Sequence, residues 1–180
     1  MKRLTLFLVV ACASPLLAQQ PRTASAAAPS GVATVRNLWE GVSGYIARSA
    51  DQMTEANYAF KPTPDVRSFG QLIAHIAGSQ NLNCGLVLGE KVGNEDDIES
   101  TMTAKADLVA ALKASNDRCR RAYAVSDAAS GKIVPLFGSD RSVLYALMQN
   151  ATHVSEHYGN IVTYMRIKGM VPPSSQPPAR

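Results

Sequence analysis

A chain of 180 residues, 46% of them hydrophobic, carries enough apolar material for one domain with a real core. Its formal charge of +4 falls to +2 if Lys2 and Arg3 leave with an N-terminal signal, so the pI near 9.1 overstates the basicity of what remains. A balance so close to neutral argues against a nucleic-acid binder or a receptor for a strongly acidic partner.

The chain opens with Met1-Lys2-Arg3, an apolar run over residues 4–11 and small residues up to Ala18. That order is the pattern of an export signal over residues 1–18, too short to be a permanent membrane span. A second reading stays open, because Val9-Val10-Ala11-Cys12 resembles a lipobox that would acylate Cys12. Either way the remainder is expected outside the cytoplasm, periplasmic or extracellular. Residues 19–30, rich in Ala, Ser and Pro, read as a disordered leader.

The first helix is expected over residues 31–54, with Val32, Val35, Leu38, Trp39, Val42, Tyr45, Ile46 and Met53 at three- and four-residue spacing. Pro62 and Pro64 then force an extended linker. Ser68 followed by Gln71 forms a capping box, which starts a second helix carrying Phe69, Leu72, Ile73, His75, Ile76 and Leu82. Residues 89–102 read as a loop whose acids, Glu95, Asp96, Asp97 and Glu99, form a solvated face. Thr103 is the expected N-cap of a third helix with Leu108, Val109, Leu112, Cys119 and Tyr123 on its inner side. Residues 131–140 read as a tucked loop rather than a strand.

The last helix is expected over residues 141–168, capped by Ser139 or Asp140. Lys168 suits its negative end, Gly169 its C′ position, and Pro172-Pro173 prevent continuation. Trp39, Tyr45, Met148 and Met165 read as core. Four amphipathic helices over residues 31–174, with a disordered tail over 175–180, define an all-α four-helix bundle.

Cys84 and Cys119 remain as an even pair once Cys12 is removed. Cys84 lies sixteen residues after Ser68, and Cys119 sixteen after Thr103. The long loop between helices two and three allows them to run parallel, and the two thiols would then share one level, as a disulfide requires. Two buried free thiols are the alternative.

Chemistry concentrates in the histidines. His153 and His157 stand one turn apart on one helix face, and the third histidine of the chain, His75, lies on helix two. Three imidazoles with a fourth position open to water or ligand are the usual layout of a reactive metal centre. The donor set suits zinc or nickel, with iron or copper also compatible. Asn150, Asn160 and Tyr164 share the histidine side of the helix and could orient the imidazoles or a water. Glu156 points about 100° away from His157 and is not a ligand.

The segments Phe60-Lys61-Pro62-Thr63-Pro64, Arg67-Ser68-Phe69-Gly70-Gln71-Leu72-Ile73-Ala74-His75-Ile76 and His153-Val154-Ser155-Glu156-His157-Tyr158-Gly159-Asn160 resemble the DinB-like superfamily. So do Tyr164-Met165-Arg166 and Gly169-Met170-Val171-Pro172-Pro173. The resemblance implies a bundle with helices two and three parallel, often a homodimer, with one divalent ion at a His-His-His site. His75, His153 and His157 match that triad. Tyr158 departs from the pattern, since many relatives place a basic residue just after the last histidine. Three functions follow as expectations: a metal-dependent hydrolase acting on a small molecule, a non-catalytic metal-stabilised or ligand-binding bundle, and a thiol S-transferase-like enzyme.

Overall fold

The structure is a computed structural model that describes residues 30–177; the expected signal, Cys12 and most of the expected leader lie outside the described residues. Its long elements are α1 (Gly31–Gln52), α2 (Phe69–Leu88), α4 (Lys105–Ala122) and α6 (Val143–Ile167). Two short helices, α3 (Asp97–Thr101) and α5 (Asp127–Ser130), and a hairpin of β1 (Ile133–Leu136) and β2 (Ser139–Ser142) join them. Among the described residues no helix is long and apolar enough to cross a membrane.

Local signals set the helix ends. At the start of α2, Ser68 Oγ accepts the Gln71 backbone N–H at 3.1 Å and Gln71 Oε1 accepts that of Ser68 at 2.9 Å. Helix α2 ends in a Schellman turn, with Gly89 at φ +68° and Glu90 N–H returning to the Gly85 carbonyl. Helix α6 ends the same way, with Gly169 at φ +72° and Met170 N–H on the Met165 carbonyl.

Helix directions follow from which residues meet. Leu108 approaches Gly70 and Cys119 joins Cys84, so α2 and α4 run parallel. Tyr45 stacks on Tyr158 at 5.4 Å, and the two ends of α1 touch Asp127 and Gln176, so α1 and α6 are parallel as well. His75 meets His157 while Ser79 meets His153, which makes α2 and α6 antiparallel. Trp39 stacks on Tyr123 at 4.7 Å in the core, and its indole N–H donates to Gln80 Oε1 at 2.7 Å. Gln80 in turn donates to Ser115 Oγ and Asn116 Oδ1, so this buried amide bonds with both of its ends.

Several expectations are corrected. Helix α1 stops at Gln52, where Met53 turns extended. The loop after α2 contains α3, and α4 starts at Lys105 without a side-chain cap from Thr103; the Lys105 N–H meets Glu55 Oε1 instead. The loop expected before the last helix is the β1–β2 hairpin, turned by Phe137 at φ +48° and Gly138 at φ +73°. That hairpin takes up Ser139 and Asp140, so the cap of α6 falls to Ser142, whose Oγ accepts the Tyr145 N–H. Leu38 and Met148, expected inside, are 65% and 49% exposed. Of the expected tail, Ser175 closes a short turn over Pro173–Ser175 and Gln176 bonds with Gln52, while residues 178–180 lie outside the described residues.

Cys84 and Cys119 form a disulfide between α2 and α4, with Cα atoms 5.1 Å apart and both residues fully buried. Tyr158 is buried, and its hydroxyl accepts the Ser174 N–H at 3.0 Å, which fastens the C-terminal turn to α6.

Candidate metal centre

Three ring nitrogens converge where α2 crosses α6. His153 Nε2 stands 3.2 Å from His75 Nε2 and 3.0 Å from His157 Nε2. Two imidazoles sharing an ion at about 2.1 Å would hold their nitrogens about 3.0 Å apart at a right angle and about 3.4 Å apart at a tetrahedral angle. The observed separations fall in that interval. The His75, His153 and His157 cluster could therefore hold a metal ion.

The spacing has a simple origin. His153 and His157 are one helical turn apart, so their rings lean the same way, with centroids 4.4 Å apart. Helix α2 presents His75 from the opposite wall, 6% exposed, and His157 is 8% exposed. Burial lowers the His157 pKa to about 4, helped by the neighbouring His153 and His75 and by Arg67. Burial also lowers that of His153, with His75 adding to the effect and Glu156 opposing it. Both rings are thus neutral at neutral pH, the state in which imidazole ligates.

The far ring nitrogens meet three different groups. His153 Nδ1 lies 3.1 Å from Ser79 Oγ, and Asn160 Nδ2 lies 3.5 Å from His157 Nδ1. His75 Nδ1 faces Asp96 Oδ1 at 3.5 Å and Glu99 Oε2 at 3.9 Å. Among the described residues it has no hydrogen-bond partner. Arg67 donates through Nε to Glu99 at 2.9 Å and stands 3.9 Å from Asp96. Two of the acids read as a solvated face therefore border the histidines, because α3 folds back onto α2.

A cleft of about 720 Å³ opens beside His157, between the linker around Pro62 and Pro64 and the outer part of α6. Gln71, Asn160, Thr163 and Tyr164 line it with Arg67 and Glu99. Tyr164 borders the cleft rather than the rings, and its hydroxyl donates to the Arg67 carbonyl at 2.7 Å. Asn150 is elsewhere. One turn before His153 it is fully buried, donating to the Tyr123 hydroxyl at 3.2 Å and contacting Cys119 Sγ at 3.7 Å. Helical period aligned it with His157, but at that level the core is filled by Tyr123. Sequence periodicity missed Ser79, Asp96 and Glu99; Ser79, one turn beyond His75, was the detectable one.

Solved structures share this architecture. A DinB-like protein from Bacillus cereus superposes with a TM-score of 0.64 at 19% identity, over 77% of this chain and 93% of that one. A DinB-like protein from Bacillus subtilis gives 0.61 at 18% identity, with the same two coverages. The mycothiol-dependent maleylpyruvate isomerase gives 0.62 at 17% identity, over 72% of this chain and 60% of the isomerase. At these identities the likeness is one of fold. The comparison with curated proteins gives no match. The family description "DinB superfamily" matches residues 39–161, a span that reaches into all four long helices and includes all three histidines. The chain belongs to the DinB superfamily.

Proposed function

We propose that this protein is an exported metal-dependent hydrolase in which His75, His153 and His157 hold one divalent ion, zinc or nickel, facing the cleft. The observation that carries the reading is the convergence of three imidazole nitrogens, 3.0 and 3.2 Å apart, one of whose rings, His157, also lines a cleft large enough for a small molecule. An ion there would supply Lewis acidity toward a water or carbonyl at its open side. A purely structural ion needs no such opening, so the cleft favours an active site.

The chain's own residues supply the rest. Gln71, Asn160 and Thr163 offer amide and hydroxyl groups to orient a polar substrate. Glu99 lines the cleft within 3.9 Å of the His75 ring and is the candidate acceptor for a proton released there. Export is proposed from the pattern of residues 1–18, and the Cys84–Cys119 disulfide suits an oxidising compartment. A homodimer is proposed as well; Leu38, Tyr145 and Met148 leave exposed apolar surface on α1 and α6.

The fold likeness to a mycothiol-dependent enzyme supports a second reading, thiol transfer in the same cleft. Elemental analysis of protein purified without a nickel column, alongside a His153→Ala/His157→Ala variant, tests the metal centre on which both readings depend. About one equivalent of metal, lost in the variant, supports the centre, and parallel ester and thiol-adduct screens then choose the reaction. A parent protein that takes up no metal on soaking refutes both readings.

A further inference from the structure

We infer that Asp96 is the positioning residue of His75, accepting the proton of Nδ1 so that the Nε2 lone pair points at the centre. We also infer that a glycine seat on α2 exists to bring it there. The inference rests on the metal-binding reading of the three histidines.

Two independent observations meet. His75 Nδ1 is a buried donor-or-acceptor atom without a hydrogen-bond partner among the described residues, and it faces two carboxylates at 3.5 and 3.9 Å. A buried polar atom left in that state is costly, and a carboxylate is the partner best suited to an N–H. The second observation is the route by which the acids arrive. A Cβ on Gly78 would lie 1.8 Å from the Glu95 carbonyl oxygen, and one on Gly85 would lie 2.4 Å from Val92 Cγ1. Gly78 and Gly85 are two turns apart on one face of α2, and the chain after α2 runs back along that face, Val92 against Gly85 and Glu95 against Gly78. Asp96 is the next residue, and His75 is the next turn of the helix. The missing side chain at Gly78 thus sets how closely Asp96 approaches the ring.

The two acids divide the work. Glu99 is held by Arg67 at 2.9 Å, whereas Asp96 is 66% exposed at the rim and only 3.9 Å from the same guanidinium. Asp96 is therefore free to turn, and a rotation closes the roughly 0.7 Å that separates 3.5 Å from a charge-assisted hydrogen bond. His75, Asp96 and Glu99 also have the donor types of a second cation site. Arg67 already supplies the positive charge beside both carboxylates, and a second cation would be repelled by it. The arrangement is that of a carboxylate holding a metal-ligating histidine, in which loss of the carboxylate weakens metal affinity about 10–100-fold.

The test uses the full domain with Zn²⁺ as probe, its affinity read by competition with a chelator, and imidazole ¹⁵N spectra of the metal-free protein. Asp96→Ala is expected to weaken zinc binding about 10–100-fold and to change the Co²⁺ absorption spectrum. Gly78→Ala should shift both in the same direction by displacing Asp96. Glu95→Gln, which alters charge in the same loop, should stay within about twofold of the parent. In the metal-free parent His75 should carry its proton on Nδ1. Zinc affinity unchanged in Asp96→Ala, or a proton on Nε2 of His75, overturns the inference. If the parent binds no zinc at all, the metal reading falls with it, while the tautomer still reports on the Asp96 contact alone. Asp96→Ala decides the matter should Gly78→Ala not fold.

Discussion

The disulfide between α2 and α4 offers the most quantitative test of the fold's energetics. Cys84 and Cys119 are 35 residues apart and both fully buried. Cross-linking a loop of that length removes denatured-state entropy equivalent to about 4 kcal/mol at 25 °C. Reduction leaves both sulfurs in the core, so it isolates this effect better than substitution, which would add a cavity. Because reductant reaches buried sulfurs only through unfolding, the reduced sample is prepared in denaturant and refolded. With a urea slope of about 2 kcal/mol/M, reduction should lower the unfolding midpoint by about 2 M. Thiol titration under denaturing conditions confirms the redox state of each sample. A midpoint that moves by less than about 0.3 M would refute the reasoning, and two free thiols found in the protein as purified would remove its premise.

Three further outcomes can be checked. His157 has its folded pKa lowered to about 4 from the ordinary 6.5, so between those values the unfolded chain binds more protons than the folded one. Stability of the metal-free protein is then full above pH 6.5 and falls as the pH drops toward 4, by on the order of 2 kcal/mol; His157→Gln should flatten the urea-midpoint profile in that window. Gln80→Leu strands the Trp39 indole N–H and removes the donor to Ser115 and Asn116, and should cost about 2–3 kcal/mol in thermal or urea unfolding. Zinc at a hundred times its dissociation constant should stabilise the parent by about 2.7 kcal/mol in a thermal shift, and His153→Ala should abolish the gain. Equal shifts in parent and variant would place the zinc elsewhere.

Much of the frame was legible because its signals are local. Ser68 and Gln71 announce the start of α2 within one turn, Gly169 ends α6 by its positive φ, and two histidines at a four-residue spacing must share a face. What escaped is non-local or atypical. The hairpin turns on Phe137-Gly138 rather than an Asn-Gly pair and carries Pro135 in its first strand, so neither usual strand signal was present. Asn150 obeys the helical period and still misses the rings, because Tyr123 occupies its level of the core. Asp96 and Glu99 reach His75 only after the chain has doubled back along α2, and no short-range pattern encodes that contact.

The paired parallel helices carry a kinetic consequence. In an up-and-down bundle each helix can dock on its sequence neighbour as soon as a short turn closes. Here α1 lies against α6, and Gln52 bonds to Gln176 from 124 residues away. That pairing needs almost the whole chain in place before its contacts repay the loss of chain freedom. Refolding should therefore run slower than helix content alone suggests. The docking of α1 on α6 is then the late step, and destabilising changes there should act mainly on the unfolding rate.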